Sequence, residues 1–239
     1  MYSPVLAHKI LKELNLLQNE TFIHISYWGS VIYGTSSEKS DKDIVLIYEY
    51  DKEIYDVVQT KDYPNLFADE LSNIDLHIIS SATFQRLLNE HNIMALEVYY
   101  HTKDFLQDYF EFKLNLDTLR RKISAVVSNS WSKARKKLDI PEEDDYLGLK
   151  SLFHSIRILS FGIDIASSKT ICFSSILIDY TMKDNIILGT ERISCSNLLH
   201  RIKQKYESGW RWKEFKEYYT PIQNANASLF RILAPKELD

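Results

Sequence analysis

The six residues Asp43 to Tyr48, DIVLIY, constrain this chain more than any other stretch. After the opening aspartate the run is apolar and rich in β-branched side chains, without polar and apolar positions taking turns. A strand with one wet face alternates, whereas a strand that reads apolar throughout is covered on both faces and belongs at the centre of a layered sheet. Two more stretches have strand character, Phe22 to Trp28 (FIHISYW) and Ile74 to Ile79 (IDLHII). Ser81-Ala82-Thr83 predicts the start of a helix through Leu88, and Ile93 to Tyr100 continues as helix or strand. At the beginning, Ser3-Pro4 followed by Leu6, Ile10 and Leu14 predicts an amphipathic helix. Asp51 to Leu71 is mixed, with helical pieces expected around Tyr55 and Phe67.

After Phe112 the pattern changes. Leu116, Leu119, Ile123, Val126, Val127, Trp131, Ala134 and Leu138 recur along one face of a long helix. Pro141-Glu142-Glu143-Asp144-Asp145 breaks it, and Leu149, Leu152, Phe153, Ile156 and Leu159 mark the next helix. The remainder reads as short helices with polar joints. The expected fold class is α/β, in the α+β sense: a small mixed sheet with helices over residues 1–115, then a helical half over 116–239.

Composition narrows the function classes. A formal net charge of −4 argues against coating nucleic acid by bulk charge, though a local basic groove stays open. Cys172 and Cys195 stand far apart and in no metal-ligand spacing, so a disulfide framework or zinc site is not expected. No apolar run approaches the ~20 residues that span a bilayer, and the opening residues lack a secretory leader's basic start and apolar block. A cytoplasmic protein without membrane contact is the expectation.

The mouth of the apolar run carries the chemistry. Asp41 and Asp43 stand one residue apart, and on a strand reaching back to Ser40 they would share a face. At ~4 Å and an effective dielectric near 20, two such charges repel by about 4 kcal/mol. A cation between them removes that cost, and hard carboxylate oxygens suit Mg²⁺, which keeps waters and phosphate oxygens as its other ligands. Asp75, at the start of the next strand, would lie beside the pair if the strands are neighbours. Three carboxylates on adjacent strand ends can hold two metals about 3.5–4 Å apart for in-line phosphoryl chemistry. Gly29-Ser30 follows the first strand. There, Ser30 is expected to open a short helix whose free N–H groups, with the serine hydroxyl, receive phosphate.

Gly29-Ser30, Tyr33-Gly34-Thr35 and Ser40-Asp41-Lys42-Asp43 ahead of an apolar strand together resemble the signature of the DNA polymerase beta-like nucleotidyltransferase superfamily. The Tyr-Gly-Thr and Ser-Asp-x-Asp forms are similar to a branch of predicted bacterial and phage nucleotidyltransferases. Asp75, between Ile74 and Leu76, matches the family's third carboxylate. The resemblance covers roughly residues 20–80 and, more loosely, the helical half. It implies two Mg²⁺ held by Asp41, Asp43 and Asp75, with ATP or another NTP as substrate. A nucleoside monophosphate would pass to an acceptor with release of pyrophosphate. The acceptor is left open among RNA, protein and small molecules. The rival expectation is a non-catalytic member, a regulator or antitoxin that binds nucleotide or a partner protein.

Other residues carry weaker signals. Lys150, His154 and Arg157 fall at i, i+4 and i+7, on a helix face expected to lie opposite the apolar stripe and to meet the nucleotide. His77 shares a strand face with Asp75 and is expected to be structural. Lys42, between the two aspartates, should point away from them. Glu97 lies in an apolar stretch and needs a structural partner. Lys133, Arg135, Lys136 and Lys137 form a basic cluster, and Trp210-Arg211-Trp212-Lys213 interleaves aromatics with charge, a pattern that can bind single-stranded nucleic acid.

Overall fold

The structure is a computed structural model that describes residue 12 and residues 21–36, 41–59, 74–139, 145–183 and 186–236, with backbone only over 179–183 and 186–188. It is mixed α/β. The chain divides into two compact units, Met1–Lys113 and Leu114–Asp239.

The first unit is built on a four-stranded sheet. In chain order the strands are β1 (Phe22–Trp28), β2 (Lys42–Tyr48), β3 (Tyr55–Gln59) and β4 (Ile74–Ser80), and across the sheet they run β1-β2-β4-β3. β2 and β4 are parallel at the centre, and both outer strands pair antiparallel to them. β2 earns its central place by composition: Val45, Leu46 and Ile47 are fully buried. On one face Ile25, Ile44, Leu46, Ile74, Leu76 and Ile78 form a hydrophobic cluster. By alternation the other face carries Val45, Ile47 and Ile79, also fully buried. There α1 (Ser81–Asn89) packs on β2 and β4, and α2 (Ile93–His101) packs on β1. A short α3 (Lys103–Leu106) follows, and its Phe105 ring lies 5.4 Å from that of His24.

β4 passes into α1 without a loop because Ser80 is both strand end and helix cap. Its fully buried hydroxyl oxygen accepts from the Thr83 N–H at 3.2 Å and from the Ile54 N–H at 3.0 Å. Asn92 caps α2 in the same way, accepting from Ala95 N–H. The region around Tyr55 is not helical, as the sequence suggested, but the edge strand β3; Tyr55 and Val57 are exposed there. Phe67 and the opening helix expected over Ser3–Leu14 lie outside the described residues, save Lys12.

The second unit pairs two long helices, α4 (Leu116–Asp139) and α5 (Asp145–Ser168). Beyond them the expected short helices give way to an antiparallel hairpin of β5 (Ser175–Lys183) and β6 (Ile186–Ser194). Two helices follow, α6 (Cys195–Glu207) and the 22-residue α7 (Trp212–Leu233). The α4 stripe is buried at Leu119, Ile123, Ala134 and Leu138. α5 does not have one apolar face and one wet face. It contacts α4, α6, α7 and β5, and Ser151, Ser155, Arg157, Ser160 and Asp164 are buried among its apolar side chains.

Those polar groups are satisfied inside the unit. Ser151 donates to its own helix at Leu147 O, 2.7 Å, while Ser160 Oγ accepts from Leu177 N–H at 2.8 Å. Asp164 pairs with Arg192 and accepts from Cys172 N–H at 3.1 Å. The packing is close. A Cβ added at Gly162 would come within 3.0 Å of Ile123 and Phe230. Cys172 and Cys195 are both free thiols. No described helix is long and apolar enough to cross a membrane.

Candidate functional site

The open end of the sheet is where β1 stops and β2 and β4 begin. Trp28 pairs with Asp43 across the antiparallel ladder, and Asp43 pairs with Asp75 across the parallel one. Two carboxylate-bearing residues are therefore in register on adjacent strands. Alternation then places Asp43, Asp75 and His77 on one face and Lys42, with Ile44, on the other.

Gly29 closes this end. Its φ is +64°, and a Cβ built there would sit 3.0 Å from Asp43 Oδ2. The positive φ favours glycine, and the close approach means that any side chain here would push the Asp43 carboxylate aside. Past it, Ser30 does not open a helix. The chain makes tight turns, with Thr35 N–H and Ser36 N–H both donating to Ser30 O at 3.0 and 3.2 Å, and Gly34 at φ +67°. Two consecutive turns leave too little regular backbone for a helix start, so the helix N-terminus expected here is replaced by turn amides.

Asp41 is exposed and stands one residue ahead of β2, which begins at Lys42 rather than Ser40. Strand alternation therefore does not fix its direction. Among the described residues, no group of three or more His, Cys, Asp or Glu side chains is close enough to hold a metal ion.

Three aromatic side chains cluster beside Asp43. His77 Nε2 lies 4.0 Å from Asp43 Oδ1. The Tyr55 hydroxyl is 2.8 Å from His77 Nδ1, and the two rings stack at 5.9 Å. Trp28 meets His77 edge-on at 5.1 Å. Burial lowers the His77 pKa, against the opposing pull of Asp75. The Tyr55 hydroxyl is raised by burial and then by Asp43. The direction of the Tyr55–His77 hydrogen bond follows the imidazole tautomer; the tautomer in which Tyr55 donates to Nδ1 carries its ring proton on Nε2, toward Asp43. Along β1 the buried Trp28 Nε1, Ser26 Oγ and His24 Nε2 have no hydrogen-bond partner among the described residues. An orphaned buried donor costs about 1–3 kcal/mol, so an oxygen-bearing ligand or water near Trp28 would be well received. Tyr55 and Trp28 carry no sequence signal of a site: Tyr55 sits in a stretch that reads as helical, and Trp28 reads as an ordinary strand residue. His77 is detectable, two residues from Asp75, but alternation alone says nothing of its contacts.

The other candidates lie in the second unit. Lys150 is exposed, His154 half-buried and Arg157 buried. The open polar face expected of this trio is thus corrected: α5 is enclosed, and Arg157 faces inward and donates to His154 Nδ1 at 2.9 Å. Burial, then Arg157, Lys150 and Lys133, push His154 down to about 3. The imidazole is neutral and sits within a cluster of cations. Lys133, Arg135 and Lys136 are exposed. Trp212 is buried against Trp131, and the Lys205 ammonium lies 3.8 Å above the Trp210 ring, so both tryptophans are engaged within the fold. Glu97 is buried in α2.

No protein-family model matches this chain, and no curated protein matches it in sequence.

Proposed function

We propose that the protein is a Mg²⁺-dependent nucleotidyltransferase, moving a nucleoside monophosphate from an NTP to an acceptor hydroxyl with release of pyrophosphate. The observation that carries this reading is the register of Asp43 beside Asp75, with Gly29 leaving the space beside Asp43 Oδ2 free of a side chain. The Gly-Ser and Asp-x-Asp pattern of the sequence supports the same reading.

The residues fit the metal. Carboxylates are the hard oxygen ligands that Mg²⁺ prefers, and Asp43 and Asp75 stand in register on adjacent strands. Asp43 and Asp75 would hold the ions, and Asp41 would complete the set. Bound there, Mg²⁺ would offset the charge of the phosphates and of the leaving pyrophosphate. Gly29 lets the triphosphate approach the main chain, and the Ser30 hydroxyl donates to a phosphate oxygen. Asp75 accepts the proton of the attacking hydroxyl. His77, steadied by Tyr55 and Trp28, limits the directions open to the Asp43 carboxylate.

The test is incubation of the full chain with each labelled NTP and Mg²⁺, against RNA, protein and small-molecule acceptors. Pyrophosphate release with label on one acceptor class is expected. Nucleotide binding without release under every condition would favour the regulator instead.

A further inference from the structure

The second unit contains a cavity of about 420 Å³ between α4 and α7, floored by Leu159 of α5 and by Phe230. Small-molecule sites run from about 300 to 1,000 Å³, so the volume suits one mid-sized ligand. The helices on either side run antiparallel. Arg120, near the start of α4, reaches the Ala234 carbonyl just past the end of α7, and Trp131, further along α4, packs on Trp212 at the start of α7. The two ends of the groove therefore differ. One end has two guanidinium groups, Arg120 and Arg231. The other has the Trp131 indole and the Lys216 ammonium. Between them the walls are short and hydroxylated, with Ser124 and Ser128 from α4 and Thr220 from α7. Among the described residues, no carboxylate lines the groove. At 1.5 Å per residue, Arg120 and Trp131 are about 16 Å apart along α4.

We infer that this groove is a binding site for one nucleoside phosphate. The phosphates lie against Arg120 and Arg231, whose planar forks grip two oxygens at once. The ribose lies along the hydroxylated middle, and the base rests at Trp131. The polarity of the groove carries the inference: a free phosphate would use only the guanidinium end, and a bare aromatic ring only the other. The site uses none of the residues of the carboxylate edge, and it goes beyond the transferase reading.

The experiment is calorimetric titration of the full chain in EDTA, with ADP, adenosine and pyrophosphate as separate probes. One-to-one binding of ADP is expected, about tenfold or more tighter than either fragment. Arg231→Gln removes one phosphate contact, and Ser128→Phe fills the middle of the groove. Both positions are exposed, so the fold should survive, as thermal melting would verify. Each change should weaken ADP binding by about tenfold or more, while Asp43→Asn should leave it unchanged. No heat with ADP up to millimolar concentrations would overturn the inference. So would pyrophosphate binding as tightly as ADP, or ADP binding that is lost in Asp43→Asn but kept in the two groove variants. If no pyrophosphate is ever released from NTP yet the groove binds ADP as described, the transferase reading fails and this one stands.

Discussion

Gly29→Ala separates two forces that act on one residue. At φ +64° an alanine pays the left-handed penalty, about 1–2 kcal/mol. Its methyl also arrives 3.0 Å from Asp43 Oδ2, a tight approach that the carboxylate relieves by shifting a few tenths of an ångström. Gly34 is the control, because its φ is nearly the same, +67°, but no described residue lies within 4 Å of a Cβ built there. Gly34→Ala should cost the conformational part alone, and Gly29→Ala about 1–3 kcal/mol, with the excess being the collision with Asp43. For a unit of this size the larger loss lowers the melting temperature by about 4–12 °C. The assay is thermal unfolding followed by circular dichroism, in parallel with NTP-dependent pyrophosphate release. Gly29→Ala should lose transfer as well as stability, because it displaces the carboxylate, whereas Gly34→Ala should lose only stability. Equal losses in both variants, or full activity in Gly29→Ala, would refute the idea that this glycine sets the position of Asp43.

Ser30→Ala should lower catalytic efficiency by one charge-assisted hydrogen bond, about 1.5–3 kcal/mol, read as kcat/KM with NTP; an unchanged value removes the hydroxyl from the site. Arg157→Ala should destabilise the second unit by about 1–3 kcal/mol, because a buried donor to His154 is lost; this is measured by denaturant unfolding, and a neutral change would mean that the guanidinium is not part of the core. His154 gives a pH dependence whose sign follows from its depressed pKa. The unfolded chain takes up a proton below about 6.5, while the folded chain resists it down to about 3. Stability therefore falls as pH drops through that window, by at most about 1.4 kcal/mol per pH unit from this group. His154→Gln should flatten the slope, and an identical slope would assign the effect to other groups.

The centre of the sheet was legible because β2 says one thing at every position. Val45, Leu46 and Ile47 are apolar without alternation, and all are fully buried. The neighbourhood of Asp43 and Asp75 followed from the same logic, since both precede apolar runs that pair in parallel. β3 was not legible: Tyr55-Asp56-Val57-Val58-Gln59 is short and largely exposed, and its conformation comes from pairing with β4 rather than from its own pattern. The β5–β6 hairpin was missed for a related reason, because its polar and apolar residues suit either a strand or a helix end. Arg157 misled most. A helical wheel assigns an arginine to water, but an enclosed helix can bury one that donates to a neutral histidine. The contacts of His77 with Tyr55 and Asp43 join β2, β3 and β4, and no spacing along the chain encodes them.

The most direct test of the transferase account is pyrophosphate release from NTP by Asp43→Asn and Asp75→Asn across a Mg²⁺ titration, compared with the unaltered chain. The account predicts that both variants lose turnover at every Mg²⁺ concentration. Their melting temperatures should hold or rise, since each change relieves repulsion between neighbouring carboxylates. Turnover near that of the unaltered chain in either variant at saturating Mg²⁺ would contradict it.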